Sequence, residues 1–95
     1  MAKAVYSRAA VADLKTIARY IAQDNPERSG SFVHEIRVRC GKRADFPMSG
    51  QSRPDIAPGM RSFAHGAYVV LYMPLEDGIS VVRVIHSSRD IRAAL

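Results

Sequence analysis

Apolar residues in the first half of the chain recur every three to four positions, whereas in the last third they alternate or run together, so the chain reads as helices followed by strands. From Arg8 to about Gln23, Val11, Leu14, Ile17, Ala18 and Ile21 keep helical spacing and leave Lys15, Thr16 and Arg19 on the opposite side. That one-sided helix needs a sheet or another helix to cover. Ser7 suits its N-cap, and Lys3 to Ser7 before it is short and β-compatible. Pro26 stops the first helix, while Asn25 as N-cap with Pro26 in the first turn starts a second. Phe32, Val33, Ile36 and Cys40 share a face of that second helix. Glu35 stands four residues before Arg39, a pair contributing only about 0.3 kcal/mol if exposed, so packing must hold the helical hairpin down.

Phe46 to Pro54, continuing through Ala57-Pro58-Gly59, carries the punctuation of a loop. Met60-Arg61-Ser62-Phe63 then suits a strand, His65-Gly66 a turn, and Ala67 to Met73 a second strand. Glu76-Asp77-Gly78 predicts a tight hairpin reversal. Ile79 to His86 is apolar on both faces through Val81, Val82, Val84 and Ile85, the pattern of a central strand covered by helices on at least one side. The order is β-α-α-β-β-β with a short C-terminal helix. It predicts an α+β fold, with the helical hairpin on one face of a three- or four-stranded, mainly antiparallel sheet.

At 95 residues the chain is read as one domain, 1–95, with an ordinary globular composition of 47% hydrophobic and 24% charged residues. No apolar run reaches the length of a membrane span, and Met1 to Tyr6 lacks the apolar middle of a signal peptide, so a cytoplasmic location is expected. Cys40 has no second thiol and is read as a buried helix residue; His34 and His65 lack neighbours at ligand spacing, so no metal is assigned. Neither a phosphate-binding glycine loop nor paired carboxylates point to a cofactor, and none is expected. The net charge of +5 invites an anionic partner, and its excess sits early. Nine basic and five acidic residues precede Arg53; five and four follow from it on. Arg37, Arg39, Lys42 and Arg43 crowd the second helix but spread round it, which favours a solvated, partly partner-facing surface over a dedicated nucleic-acid site.

The closing run Arg83-Val84-Ile85-His86-Ser87-Ser88-Arg89-Asp90 groups a base candidate, two cations and a carboxylate. An imidazole is the usual general base at neutral pH, which makes His86 the base candidate, and Arg83 and Arg89 suit a phosphate beside it. For His86 the structural reading is stronger, a hydrogen-bonded corner ending a strand, whereas for Arg89 a local pair with Asp90 at the start of a short helix and contact with a target stand as equal alternatives. Tyr68 and Tyr72 face one side of their strand, packing in the core with hydroxyls at the edge.

A wider set of residues carries a family likeness. Asp13-Leu14 with Ile17 and Tyr20-Ile21, Phe46-Pro47 with Gly50, Arg53-Pro54-Asp55, Gly59-Met60-Arg61, Tyr68 with Leu71-Tyr72, and Arg83 to His86 with Arg89-Asp90 together resemble the ParE branch of the RelE/ParE superfamily of type II toxin-antitoxin operons. The resemblance implies a toxin that inhibits DNA gyrase by binding and is neutralised by a ParD-type antitoxin, with Arg53, Arg61, Arg83, His86, Arg89 and Asp90 as partner-binding candidates. An antitoxin segment is expected to cover the sheet face opposite the helices and the C-terminal end, left partly apolar. The alternative is the RelE branch, a ribosome-dependent messenger RNase, in which His86 and Arg89 would be catalytic. RNA cleavage needs a base, cations for the phosphorane and an acid, and Tyr68-Val69-Val70 lacks the basic residue that the RNase branch places there. A toxin-shaped module without activity, regulating its operon, is a third reading. Arg43 departs from the family, which usually has an apolar residue there; it either weakens packing or presents a new charge to a partner.

Overall fold

Ser7 does two jobs where the first strand becomes a helix. Its Oγ accepts the Ala10 N–H at 3.0 Å and donates to the Val82 carbonyl at 2.8 Å, so a single hydroxyl caps the helix and ties it to the sheet. The computed structural model describes residues 2–95. Strand β1 (Lys3–Tyr6) leads into α1 (Arg8–Ala22) and α2 (Pro26–Asp45), the latter capped by Asn25, whose Oδ1 accepts the Arg28 N–H at 3.0 Å. Ser29 Oγ donates to the Ala18 carbonyl at 2.7 Å, a buried stitch across the hairpin. A 3-10 turn (Pro47–Ser49), β2 (Gln51–Ser52), β3 (Arg61–His65), β4 (Tyr68–Leu75), β5 (Gly78–His86) and α3 (Ile91–Ala94) complete the chain.

The sheet order is β1-β5-β4-β3-β2, with β1 parallel to β5 and the other pairs antiparallel. This is the expected α+β layering with one correction: the sheet has five strands rather than three or four. Gln51 and Ser52, within the stretch read as loop, pair with Ser62 and Arg61, and the Arg53 N–H donates to the Met60 carbonyl at 2.8 Å. A two-residue strand carries too little periodicity to be seen in sequence. On the helical face Ala10, Leu14, Ile17, Ile36 and Cys40 pack against Phe63, Val70, Tyr72, Ile79, Val81 and Val84. Each large side chain so buried contributes about 1.5–3 kcal/mol. Burial pushes the Cys40 thiol's pKa up, and burial beside Cys40 does the same to the Tyr6 hydroxyl.

The opposite face is less open than expected. Met60, Leu71 and Ile85 are buried there beneath Ile56 and Ala57 of the long loop and Ile91 and Ala94 around α3, while Val69, Met73 and Val82 remain half-buried. The chain's own loop and C-terminal end therefore supply much of the cover assigned to a partner. Within α2, Glu35 does not pair with Arg39. Its carboxylate takes Arg28 at 2.6 Å and the His65 ring at 3.1 Å, because Arg39 is drawn to the Ala64 carbonyl and His65 Nδ1.

Two local features fix how β5 meets its neighbours. Gly78 has φ of 151°, and a Cβ there would overlap the Lys3 carbonyl, so its missing side chain serves the approach of β1 as well as the turn. Further along, Leu71 faces Arg83 but Tyr72 faces Val81, which makes Val82 the extra residue of a bulge. The bulge lets Val81 and Val84 both face the helices.

Candidate functional site

Beyond Tyr6, β1 no longer covers β5, and α1 takes over its hydrogen-bonding groups one by one. The Ser7 N–H donates to the Val81 carbonyl at 3.0 Å, Ser7 Oγ to the Val82 carbonyl, and Asp13 Oδ2 accepts the Val84 N–H at 2.9 Å. The same Asp13 carboxylate grips Arg83 in a bidentate pair, Nε at 2.7 Å and Nη2 at 2.9 Å, while Arg83 Nη1 reaches the Ala94 carbonyl at 2.6 Å. Both partners are mostly shielded, with 20% and 15% of their side-chain surfaces exposed, and the carboxylate raises the guanidinium's pKa.

Past Val84, α1 and the sheet diverge and leave a groove of about 520 Å³ lined by Asp13, Thr16, Ile17, Tyr20, Tyr68, Val84, Ile85, His86, Ser88 and Arg89. Its wall is aromatic. The Tyr68 ring meets His86 edge-on at 5.1 Å and 84°, and Phe32 packs behind Tyr68 at 5.6 Å. Tyr20 is 66% exposed at the rim, and burial followed by the proximity of Tyr20 raises the Tyr68 hydroxyl's pKa.

The groove gathers some predicted residues and not others. His86 and Arg89 line it together, and Asp90 stands one position beyond, capping α3 by accepting the Arg92 N–H at 3.1 Å rather than pairing with Arg89. His86 is indeed a corner, but its partner is Ser88: Nδ1 accepts the Ser88 N–H at 3.1 Å and lies 2.7 Å from Ser88 Oγ. An Nδ1 that accepts a backbone N–H places the neutral ring's proton on Nε2, an assignment made from the hydrogen-bond network. The free nitrogen thus offers a donor, not the lone pair of a general base. The Arg89 side chain makes no hydrogen bond or ion pair among the described residues, so it is a cation available to a partner.

Elsewhere, Arg61 Nη1 donates to the Met48 carbonyl at 2.9 Å and the Gly50 carbonyl at 2.7 Å. Arg53 pairs with Asp55 at 3.2 Å, lowering that carboxyl's pKa, with Arg92 3.8 Å from the same carboxylate. On α2, Arg39 and Arg43 each stack 4.9 Å from the Phe63 centroid, and Arg43 Nη1 donates to Ser49 Oγ at 2.9 Å. Arg43 thereby covers an aromatic ring with its guanidinium, a packing role for the charged side chain at the position where the resemblance led us to expect an apolar one. Sequence reasoning missed Thr16 and Tyr20 as groove residues and Asp13 as its hinge pin. A large aromatic three residues after Ile17, at the margin of the apolar stripe of α1, was the available signal for Tyr20.

Among the described residues no cluster of His, Cys, Asp and Glu is able to hold a metal ion, and no helix is long and apolar enough to cross a membrane. The family model described as the ParE toxin of the type II toxin-antitoxin system parDE matches residues 4–91. The chain belongs to the ParE toxin family. Toxin ParE3 of Caulobacter vibrioides is 24% identical over 96 residues, spanning 100% of this chain and 96% of that protein. A solved structure titled chromosomal ParDE TA system from P. aeruginosa superposes with a TM-score of 0.76 at 21% identity, covering 90% of this chain and 96% of the other. At that identity the superposition speaks for the fold of this ParE-type toxin and for nothing finer.

Proposed function

We propose that this ParE-type toxin acts from the cytoplasm by binding DNA gyrase, without chemistry of its own, and that a ParD-type antitoxin neutralises it by seating a segment in the α1/β5 groove. The observation that carries the reading is the groove itself. It is concave, walled by Tyr20, Tyr68 and Ile17, and ends at an uncommitted Arg89, a combination suited to an amphipathic helix bearing a carboxylate. Its one imidazole is tied at Nδ1 to Ser88, and Arg83, the second cation of the run, is consumed by Asp13 and Ala94. A phosphodiesterase needs those groups free.

The rival RNase reading keeps one supporting fact, that His86 and Arg89 share a cleft. A supercoiling assay with purified gyrase separates the two. Inhibition that rises with toxin and is reversed by one equivalent of the antitoxin encoded beside it is the expected result. Unaffected gyrase at saturating toxin, together with cleaved transcripts in producing cells, would establish the RNase reading instead.

A further inference from the structure

Past the end of α2 the surface is the reverse of a groove. Phe46 and Met48 are 71% and 65% exposed, yet the backbone carrying them is fixed at nearly every residue. The Phe46 N–H donates to the Arg43 carbonyl at 2.9 Å, and the Ser49 N–H to the Phe46 carbonyl at 3.0 Å. The Pro47 carbonyl accepts the Tyr72 hydroxyl at 2.9 Å, and the same hydroxyl oxygen accepts the Gly50 N–H at 2.9 Å. Arg61 holds the Met48 and Gly50 carbonyls, and Arg43 holds Ser49. Tyr72 is wholly buried, so this frame is anchored in the core, and a Cβ on Gly50 would collide with the Tyr72 hydroxyl.

A connecting loop needs no such frame. Large apolar side chains held out on a rigid backbone keep their shape without an ordering cost on association, which is the property of a binding hot spot. Beside Phe46 lies a second cleft, of about 350 Å³, lined by Arg39, Lys42, Arg43 and Ser49, with Asp45 as the acidic neighbour in sequence. It shares no lining residue with the α1/β5 groove.

We infer that this promontory is a second docking surface, which inserts Phe46 and Met48 into an apolar pocket rimmed by acidic side chains on the protein the toxin attacks. The inference rests on the reading that the chain acts by binding a protein target. The cationic rim selects an acidic partner. A protein fits better than a nucleic acid, because the two anchors are apolar and the guanidinium groups of Arg39 and Arg43 are already stacked on Phe63 and bonded to Ala64, His65 and Ser49. Lys42 alone among the rim cations is exposed, whereas a duplex backbone calls for a row of free charges.

The test compares a Phe46→Ser/Met48→Ser double variant and Lys42→Glu with the parent, measuring growth arrest on induction, inhibition of purified gyrase, affinity for the neighbouring antitoxin and melting temperature. Expected are at least a tenfold loss of growth arrest for the double variant and a smaller loss for Lys42→Glu, with antitoxin affinity within twofold and melting unchanged. A double variant as toxic as the parent overturns the proposal. So does a loss confined to Lys42→Glu, which would mark a polyanion such as DNA as the occupant, and so does a parallel loss of antitoxin affinity, which would merge the two surfaces. If the parent leaves gyrase untouched, the gyrase reading fails while the growth-arrest arm still judges the promontory.

Discussion

The groove at the end of β5 and the promontory at the end of α2 both combine aromatic side chains with arginines, but they are built in opposite ways. At the groove, hydrogen-bonding partners are spent on bringing α1 and β5 together, Asp13 serving Val84 and Arg83 at once, and the surface between them is left concave. At the promontory, Tyr72 and Arg61 fix the backbone so that Phe46 and Met48 project. In the proposals made above, one site receives a partner and the other enters one. The arginines follow the same division: Arg83 and Arg61 are committed to internal hydrogen bonds, and Arg89 is left without one among the described residues.

The sharpest way to break the groove is Asp13→Ala. It orphans a mostly shielded guanidinium and the Val84 N–H together, and removing one member of such a pair costs about 3 kcal/mol. For a domain of this size each kcal/mol lowers the melting temperature by roughly 4–8 °C, so thermal denaturation should show a fall of more than about 10 °C. The promontory answers more mildly to Tyr72→Phe. That change keeps the packed ring and leaves the buried Gly50 N–H without its acceptor, for a loss of about 1–3 kcal/mol. Hydrogen exchange should speed up selectively at Ser49 and Gly50; uniform protection loss would mean the hydroxyl supports the whole core instead.

Tyr20→Ala probes the groove without touching the scaffold. Because the side chain is 66% exposed, stability should change by less than about 0.5 kcal/mol, while antitoxin affinity should fall roughly tenfold. Smallest of all is the pH effect at Glu35. Arg28 holds its pKa below the usual carboxylate value, so the pair's contribution is present above the unfolded pKa and is lost as pH falls through the lower folded one. Glu35→Gln should flatten the acid limb of a melting-temperature profile slightly; at a surface pair the amplitude is small.

The layering of the fold was legible because its signals are repetitive. The α1 stripe around Leu14 and Ile17, the Asn25-Pro26 start of α2 and the two-faced apolar run of β5 each repeat one message over many residues. What could not be read depends on single long-range contacts. Nothing in the sequence announces that Asp13 completes a strand edge 71 positions away, that Gly78 makes room for Lys3, or that Glu35 prefers Arg28 and His65 to Arg39. The closing run stands out in the sequence, yet only the fold separates a committed Arg83 from an uncommitted Arg89.

The central claim is that His86 and Arg89 bind the antitoxin and catalyse nothing, and a His86→Ala/Arg89→Ala variant produced in growing cells with and without its antitoxin tests it directly. The account predicts that growth arrest persists without antitoxin and that rescue by antitoxin weakens at least tenfold. Normal growth of cells making the folded variant alone would contradict it.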